Sequence, residues 1–181
     1  MLVLLDLSAA FDTIDHQIIL SRLELCVGIK GNVLKWFQSY LSERTFSVHL
    51  GQYSSAAAPL AYGVPQGSIL GPILFSLYLL PLGSIFKNHN ISYHCFADDL
   101  QVYLPIKANK ESRIALLSCL KDIKSWMEIN FLTLNENKTE IIIFGQSELL
   151  DGFNSVLGPL ASYSRPSVRN LGVIFDNCFK L

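Results

Sequence analysis

From Thr45 to Phe86 the chain carries no Asp, Glu, Lys or Arg, although 16% of its 181 residues are charged. A stretch that long without charge either enters a membrane or folds into a core and the loops that cover it. Its most apolar part, Ile69 to Phe86, is interrupted by Gly71, Pro72, Pro81 and Gly83. A bilayer crossing needs ~20 consecutive apolar residues, and the clean helical part here is shorter. The segment therefore reads as a buried core helix. Half of all residues are hydrophobic, enough for one ordinary core and too many for a disordered chain. Fourteen Lys and Arg against fifteen Asp and Glu leave a net charge of -1, so bulk charge does not hold this chain on nucleic acid. Cys26, Cys95, Cys119 and Cys178 show no Cys-x-x-Cys spacing and read as reduced thiols of an intracellular protein, nuclear or cytoplasmic.

Hydrophobic spacing gives the element order. Leu2 to Leu5 reads as a buried strand that ends at Asp6. Ile14 to Leu25 reads as a helix, and Asn32 as the cap of a second one with Val33, Leu34, Trp36, Phe37, Tyr40 and Leu41 on a wide apolar face. Phe46, Val48 and Leu50 alternate toward a turn at Gly51-Gln52. Ile91 to Phe96 and Leu100 to Leu104 read as strands joined at Asp98-Asp99. Glu111 to Asn130 is amphipathic, with Ile114, Leu117, Leu120, Ile123 and Met127 at helical spacing. Phe131 to Leu134 and Glu140 to Phe144 read as a hairpin, and Val168 to Phe175 as a further strand. The expected fold class is α+β: one domain, residues 1–181, whose antiparallel sheet carries helices packed on one face.

Three acids stand where apolar strands end. A carboxylate there is expensive unless it is exposed, paired or bound to metal, and the neighbours Asp98 and Asp99 repel each other unless a cation neutralises them. Asp6, Asp98 and Asp99 brought together by neighbouring strands would make a hard-oxygen Mg²⁺ site. Two such ions, roughly 4 Å apart, suit in-line phosphoryl chemistry. Asp is also simply a good turn residue, and for Asp98-Asp99 alone the two readings weigh equally. The loop Gly63-Val64-Pro65-Gln66-Gly67-Ser68 lets backbone approach a ligand closely, and Gln66 offers both donor and acceptor. It lacks the Lys of a phosphate-cradling P-loop and by itself reads as a turn into a helix. Phe11, five residues after Asp6, could limit what fits beside a metal-bound carboxylate or could anchor the next helix. Asp12 and Asp15 read as charges at a helix N-terminus.

Leu5-Asp6-Leu7-Ser8-Ala9-Ala10-Phe11-Asp12, Gly63-Val64-Pro65-Gln66-Gly67-Ser68-Ile69-Leu70-Gly71-Pro72 and Phe96-Ala97-Asp98-Asp99 resemble, in this order, motifs A, B and C of reverse transcriptases. Order, spacing and the Asp15-His16 pair are similar to those of non-LTR (LINE-type) retrotransposon polymerases. Asn135 through Glu140 resembles motif D, and Val168 to Val173 the region of the primer grip.

The resemblance implies a polymerase palm that extends a DNA primer with dNTPs on an RNA template, using two Mg²⁺ ions, with Mn²⁺ as a possible substitute. It implies that Asp6, Asp98 and Asp99 are the catalytic and metal-binding carboxylates. Phe11 is then the steric gate, with Ala10 beneath the sugar. Gln66 and Gly67 line nucleotide and template, Lys138 assists pyrophosphate departure, and Leu171 and Gly172 lie in the primer grip. The chain starts five residues before Asp6 and stops soon after the primer-grip region, so fingers, thumb and endonuclease regions are expected to lie outside it. The competing expectation is a non-catalytic, retrotransposon-derived module that binds nucleic acid or protein.

Overall fold

A computed structural model of the chain describes residues 1–65, 67–105, 110–145 and 157–177, with only the backbone at 110–113 and 159. In chain order the elements are β1 Leu2–Leu5, β2 Leu7–Ser8, α1 His16–Leu25, α2 Gly31–Leu41, β3 Thr45–Phe46, β4 His49–Leu50, β5 Tyr53–Ser54 and β6 Ala58–Pro59. There follow α3 Gly71–Leu79, α4 Leu82–Asn88, β7 Ser92–Phe96, β8 Asp99–Tyr103, α5 Lys110–Ile129, β9 Thr133–Leu134, β10 Glu140–Ile142, β11 Ser167–Asn170 and β12 Val173–Asp176.

Four strands form the central sheet in the order β10-β1-β8-β7, with every neighbour antiparallel. The two-residue period of a strand sorts its side chains. Val3 and Leu5 of β1, Leu100 and Val102 of β8, and Ile141 of β10 face the helices and join the main core. Leu2, Ile142 and Val168 form a second, small cluster on the opposite face, with Leu4 and Phe175 packed against it. The helices thus cover one face, as the apolar spacing requires, and the β11–β12 hairpin caps one end of the other. Among the described residues, the outer part of that face borders a cavity. That is where the acids lie.

Local chemistry explains most boundaries, and several differ from expectation. Asp15 caps α1, accepting the backbone N–H groups of Gln17 and Ile18 at 2.9 Å each. The second helix starts at Gly31 rather than being capped by Asn32, and no side chain caps it. Its apolar face is only half used: Leu41 is buried, whereas Val33 and Trp36 are 57% and 53% exposed. Residues 69–86 form not one helix but α3 and α4, because Pro81 cannot continue the hydrogen-bond ladder of α3. Among the described residues no helix is long and apolar enough to cross a membrane. On α5 the fully buried stripe is Leu116, Cys119, Ile123 and Met127, and Ile114 points to solvent. Cys26, Cys95 and Cys119 are free thiols; Cys178 lies outside the described residues.

The expected hairpin of residues 131–144 does not form. β9 pairs with β2 and β10 pairs with β1, so the two segments clasp successive stretches of the first strand instead of each other. Alternating apolar residues fix which face a strand buries, and not which partner it takes.

One buried polar network ties the helical layer together. Arg22 of α1 donates to the Tyr78 carbonyl and the Asn130 side chain, and its guanidinium lies over the rings of Tyr78 and Trp126, 4.2 and 5.2 Å from their centroids. The Tyr78 hydroxyl donates to the Asn130 carbonyl at 2.8 Å. Burial lowers the Arg22 pKa, and carbonyl dipoles and ring faces take the place of a carboxylate partner.

Candidate active site

The β1–β8 register runs from Leu2 opposite Tyr103 to Leu5 opposite Leu100. One step further it carries Asp6 to the side of Asp99. Asp6 shares the open face with Leu2 and Leu4, because Val3, Leu5 and Leu7 point into the core. Its backbone is held on both sides: β1 lies in the sheet, β2 pairs with β9, and the Asp6 carbonyl accepts the Asn135 N–H at 2.9 Å. Its Oδ2 is buried and accepts no hydrogen bond. Lys138 Nζ lies 3.5 Å away, at ion-pair distance but without hydrogen-bond alignment.

Asp98 and Asp99 close the β7–β8 hairpin. Phe96 pairs with Asp99, leaving Ala97 and Asp98 as a two-residue turn. Only Ala97 takes positive φ, 53°, the pattern of a II′ turn whose first central residue is usually Gly. An alanine there stores strain of about 1 kcal/mol. Burial raises the Asp99 pKa, and the charges of Asp98 and then Asp6 add to the effect. The three acids therefore feel one another.

The two loops beside this pair are clasped together. Ala10–Asp12 is a 3-10 turn entered through Ala9 in the left-handed region. The Phe11 carbonyl accepts the Val64 N–H at 2.8 Å, and the Ile14 carbonyl accepts the Gly63 N–H at 2.7 Å. His16 Nε2 lies 2.7 Å from the Gly63 carbonyl, which only accepts, so that nitrogen carries the proton. Gly63 sits at φ 84°, and a Cβ there would meet the Asp12 and Phe11 carbonyl oxygens at 3.0 and 3.1 Å. Only glycine allows this approach. The Phe11 ring packs on Phe75 of α3, with centroids 5.1 Å apart, and Ala10 is buried beneath it in the core cluster. Gly67 has φ 76° and open space around its Cα. Gln66 lies outside the described residues.

Lys138 ends a 3-10 turn, Glu136–Lys138, which the Lys124–Glu136 ion pair at 2.9 Å ties to α5. Asp6, Asp99, Lys138, Arg169, Asn170 and Leu171 line a cavity of about 330 Å³. Leu171 and Gly172 both take positive φ, 47° and 86°, so the β11–β12 hairpin turns in the I′ manner. Gln101, buried two residues after Asp99, donates to Asn170 Oδ1 at 2.9 Å and joins the acid-bearing strand to this hairpin.

Of the residues singled out from sequence, Asp6, Asp99, Lys138 and Leu171 share the cavity, and Asp98 sits in the adjoining turn. Ala10, Phe11, Gly67 and Gly172 are not among its walls, and Ala10 and Phe11 pack in the helical core. Arg169 and Asn170 fall in the Val168 to Val173 segment that resembles the primer-grip region, without a role of their own, and Gln101 lies outside every motif. A glutamine between apolar neighbours in a core strand was the available signal for Gln101.

Two observations fit a hard cation here: the orphaned, buried Asp6 Oδ2, and the raised Asp99 pKa, caused first by burial and then by the charges of Asp98 and Asp6. Among the described residues, no group of three or more His, Cys, Asp or Glu side chains is arranged to hold a metal ion.

The site is thus built on a four-stranded antiparallel sheet whose two inner strands, β1 and β8, set Asp6 beside Asp99, with the β11–β12 turn on the wall of the same cavity. The family profile described as reverse transcriptase (RNA-dependent DNA polymerase) matches residues 1–175, and the chain belongs to that family. It is 29% identical over 146 residues to the RNA-directed DNA polymerase from mobile element jockey of Drosophila melanogaster, covering 77% of this chain and 16% of that protein. It is also 29% identical over 143 residues to a probable RNA-directed DNA polymerase from transposon BS of the same organism, covering 76% and 16%. The chain thus spans about one sixth of these relatives. Among solved structures, telomerase from Candida albicans superposes with TM-score 0.66 at 15% identity, over 97% of this chain and 30% of that one. Telomerase from Candida tropicalis gives 0.64 at 14%, over 99% and 34%. At such identities the likeness is one of fold.

Proposed function

We propose that this chain is the palm of an RNA-directed DNA polymerase of a non-LTR retrotransposon, extending a DNA primer with dNTPs on an RNA template. The observation that carries the reading is the strand register that sets Asp6 beside Asp99, with Asp6 Oδ2 buried and unbonded. Asp6, Asp98 and Asp99 would hold two Mg²⁺ ions, or Mn²⁺ in their place. Bound there, such ions lower the pKa of an attacking hydroxyl and stabilise the charge on a leaving phosphate. An Asp side chain turns about two torsions, so the backbone register decides which acids a cation can gather.

The chain's own residues supply positioning. Phe11, braced on Phe75 and tied by its carbonyl to Val64, is a rigid wall that excludes a 2′-hydroxyl, with Ala10 below it. Gln66 and Gly67 line nucleotide and template. Lys138, resting on Asp6, delivers a positive charge and a proton to the departing pyrophosphate. Leu171 and Gly172 seat the primer end, and the Gln101–Asn170 bond sets the spacing between that turn and Asp99.

Primer extension on an RNA template with Mg²⁺ tests this reading. Completed with fingers and thumb segments, the chain is expected to add dNTPs, whereas the chain alone is expected to extend primers poorly or not at all, and Asp98→Ala is expected to abolish addition by the completed polypeptide. Full activity of Asp98→Ala, or an inactive completed polypeptide, overturns it.

A further inference from the structure

Charge is distributed unevenly along this nearly neutral chain. Between Cys26 and Ala97 the only acid is Glu43, against Lys30, Lys35, Arg44 and Lys87. The same stretch holds the exposed aromatic side chains that the core leaves unused. Trp36, Phe46, Tyr53 and Tyr62 are all at least half exposed.

Three of its residues form a ladder. Trp36 stacks on Tyr40 one helical turn along α2, with centroids 5.5 Å apart and planes 14° from parallel. The Arg44 guanidinium lies over the other end, 4.7 Å from the Tyr40 centroid, held there because its Nε donates to the Tyr40 carbonyl at 2.6 Å. Phe37 braces Trp36 edge-on at 5.1 Å. The rings are therefore pre-arranged, and the indole at the open end is 53% exposed. Arg44 and Tyr62 line a second cavity, of about 590 Å³. Tyr62 directly precedes Gly63 of the clasp described above and bridges to Asp15. Two acids, Asp15 and Glu43, also line this cavity; Asp15 is engaged in capping α1, and the cationic contact of the surface is made on the ladder itself, by Arg44.

Fixed aromatic faces with cations around them are the chemistry that binds single-stranded nucleic acid. Bases stack on the rings irrespective of sequence, while Lys and Arg meet the phosphates. We propose that the Trp36–Tyr40–Arg44 face is a stacking surface for single-stranded RNA, on which unpaired template bases rest before or after passing the site. The choice of RNA rests on the polymerase reading; the surface itself does not. A second copy meeting this face with the same face would suit the rings but would set Lys30, Lys35 and Arg44 against like charges.

The test uses an end-labelled oligouridine of about ten nucleotides, within the span such surfaces hold. Its fluorescence anisotropy should rise with added chain, and indole emission should be quenched. Affinity should fall steeply with salt. Trp36→Ala should weaken binding about tenfold or more, Trp36→Phe should retain most of it, and both should keep the wild-type circular dichroism and melting point. These outcomes support the surface whether or not the chain adds nucleotides. Affinity unchanged in Trp36→Ala and Arg44→Ala overturns it, as does a concentration-dependent dimer that Trp36→Ala dissolves. Failure of primer extension alone bears on the polymerase reading only.

Discussion

Lys138 Nζ stands 3.5 Å from Asp6 Oδ2, the one buried side-chain oxygen or nitrogen among the described residues that accepts or donates no hydrogen bond. The lysine is 68% exposed and the aspartate 27%, so water screens the pair and its direct worth to the fold is under about 1 kcal/mol. Its importance is positional. It keeps a cation at the mouth of an acidic site.

Replacing Lys138 with Met separates these two roles. Stability by urea titration should change by less than about 1 kcal/mol, whereas the rate of nucleotide addition should fall about 10²-fold, in the range for loss of a positioned proton donor. An unchanged rate would remove Lys138 from the chemistry.

Asp99 gives a pH signature. Burial and the neighbouring Asp98 and Asp6 charges raise its folded pKa above the ordinary value of 3.8. Between those two values the folded chain binds more protons than the unfolded one, so stability declines as pH rises through the window and stays lower above it. Asp99→Asn should therefore flatten the decline and raise Tm at neutral pH in metal-free buffer. Added Mg²⁺ should raise Tm in the wild type and much less in the variant. Equal Mg²⁺ responses would contradict the assignment.

Gly63→Ala probes the clasp between the first two motif loops. A Cβ at 3.0 Å from a carbonyl oxygen, on backbone at φ 84°, should cost about 1–3 kcal/mol. It should also displace Phe11, relaxing discrimination against ribonucleotides in the same direction as Phe11→Ala. A Gly63→Ala chain with wild-type denaturation midpoint and sugar selection would show that the contact is not tight.

Asn130→Ala should be among the most damaging single changes outside the apolar core. It leaves the buried Arg22 guanidinium short of an acceptor, and breaking a buried charge network typically costs about 3–5 kcal/mol. Calorimetric melting measures it, and Arg22→Leu/Asn130→Leu together should restore part of the loss.

Much of this was legible in the sequence because a few residues carry unambiguous local instructions. Leu2–Leu5 followed by Asp6, a hairpin turn beside the paired acids and an amphipathic helix read over 111–130 and found at Lys110–Ile129 follow from spacing and charge placement alone; the turn itself falls at Ala97-Asp98. Pairing was not legible. Thr133–Leu134 joins Leu7–Ser8, not its sequence neighbour Glu140–Ile142, since strand partners are chosen by tertiary packing rather than by nearby alternation. The same limit hid the Gln101–Asn170 link, made between residues far apart in the chain, and Pro81, visible in the sequence as an interruption of the apolar stretch, proves enough to end one helix and begin another. The exposed face of α2 escaped for another reason: a helix facing a ligand has the same apolar period as one facing a core.

The central claim is that Asp6 and Asp99, adjacent across β1 and β8, jointly receive a divalent cation. Mn²⁺ binding followed by electron paramagnetic resonance on the intact chain tests it most directly. The account predicts a bound fraction in the wild type that Asp6→Asn and Asp99→Asn each reduce at least about tenfold in affinity, as loss of a carboxylate ligand does, with their folds intact by circular dichroism. Wild-type Mn²⁺ affinity in either variant would contradict it.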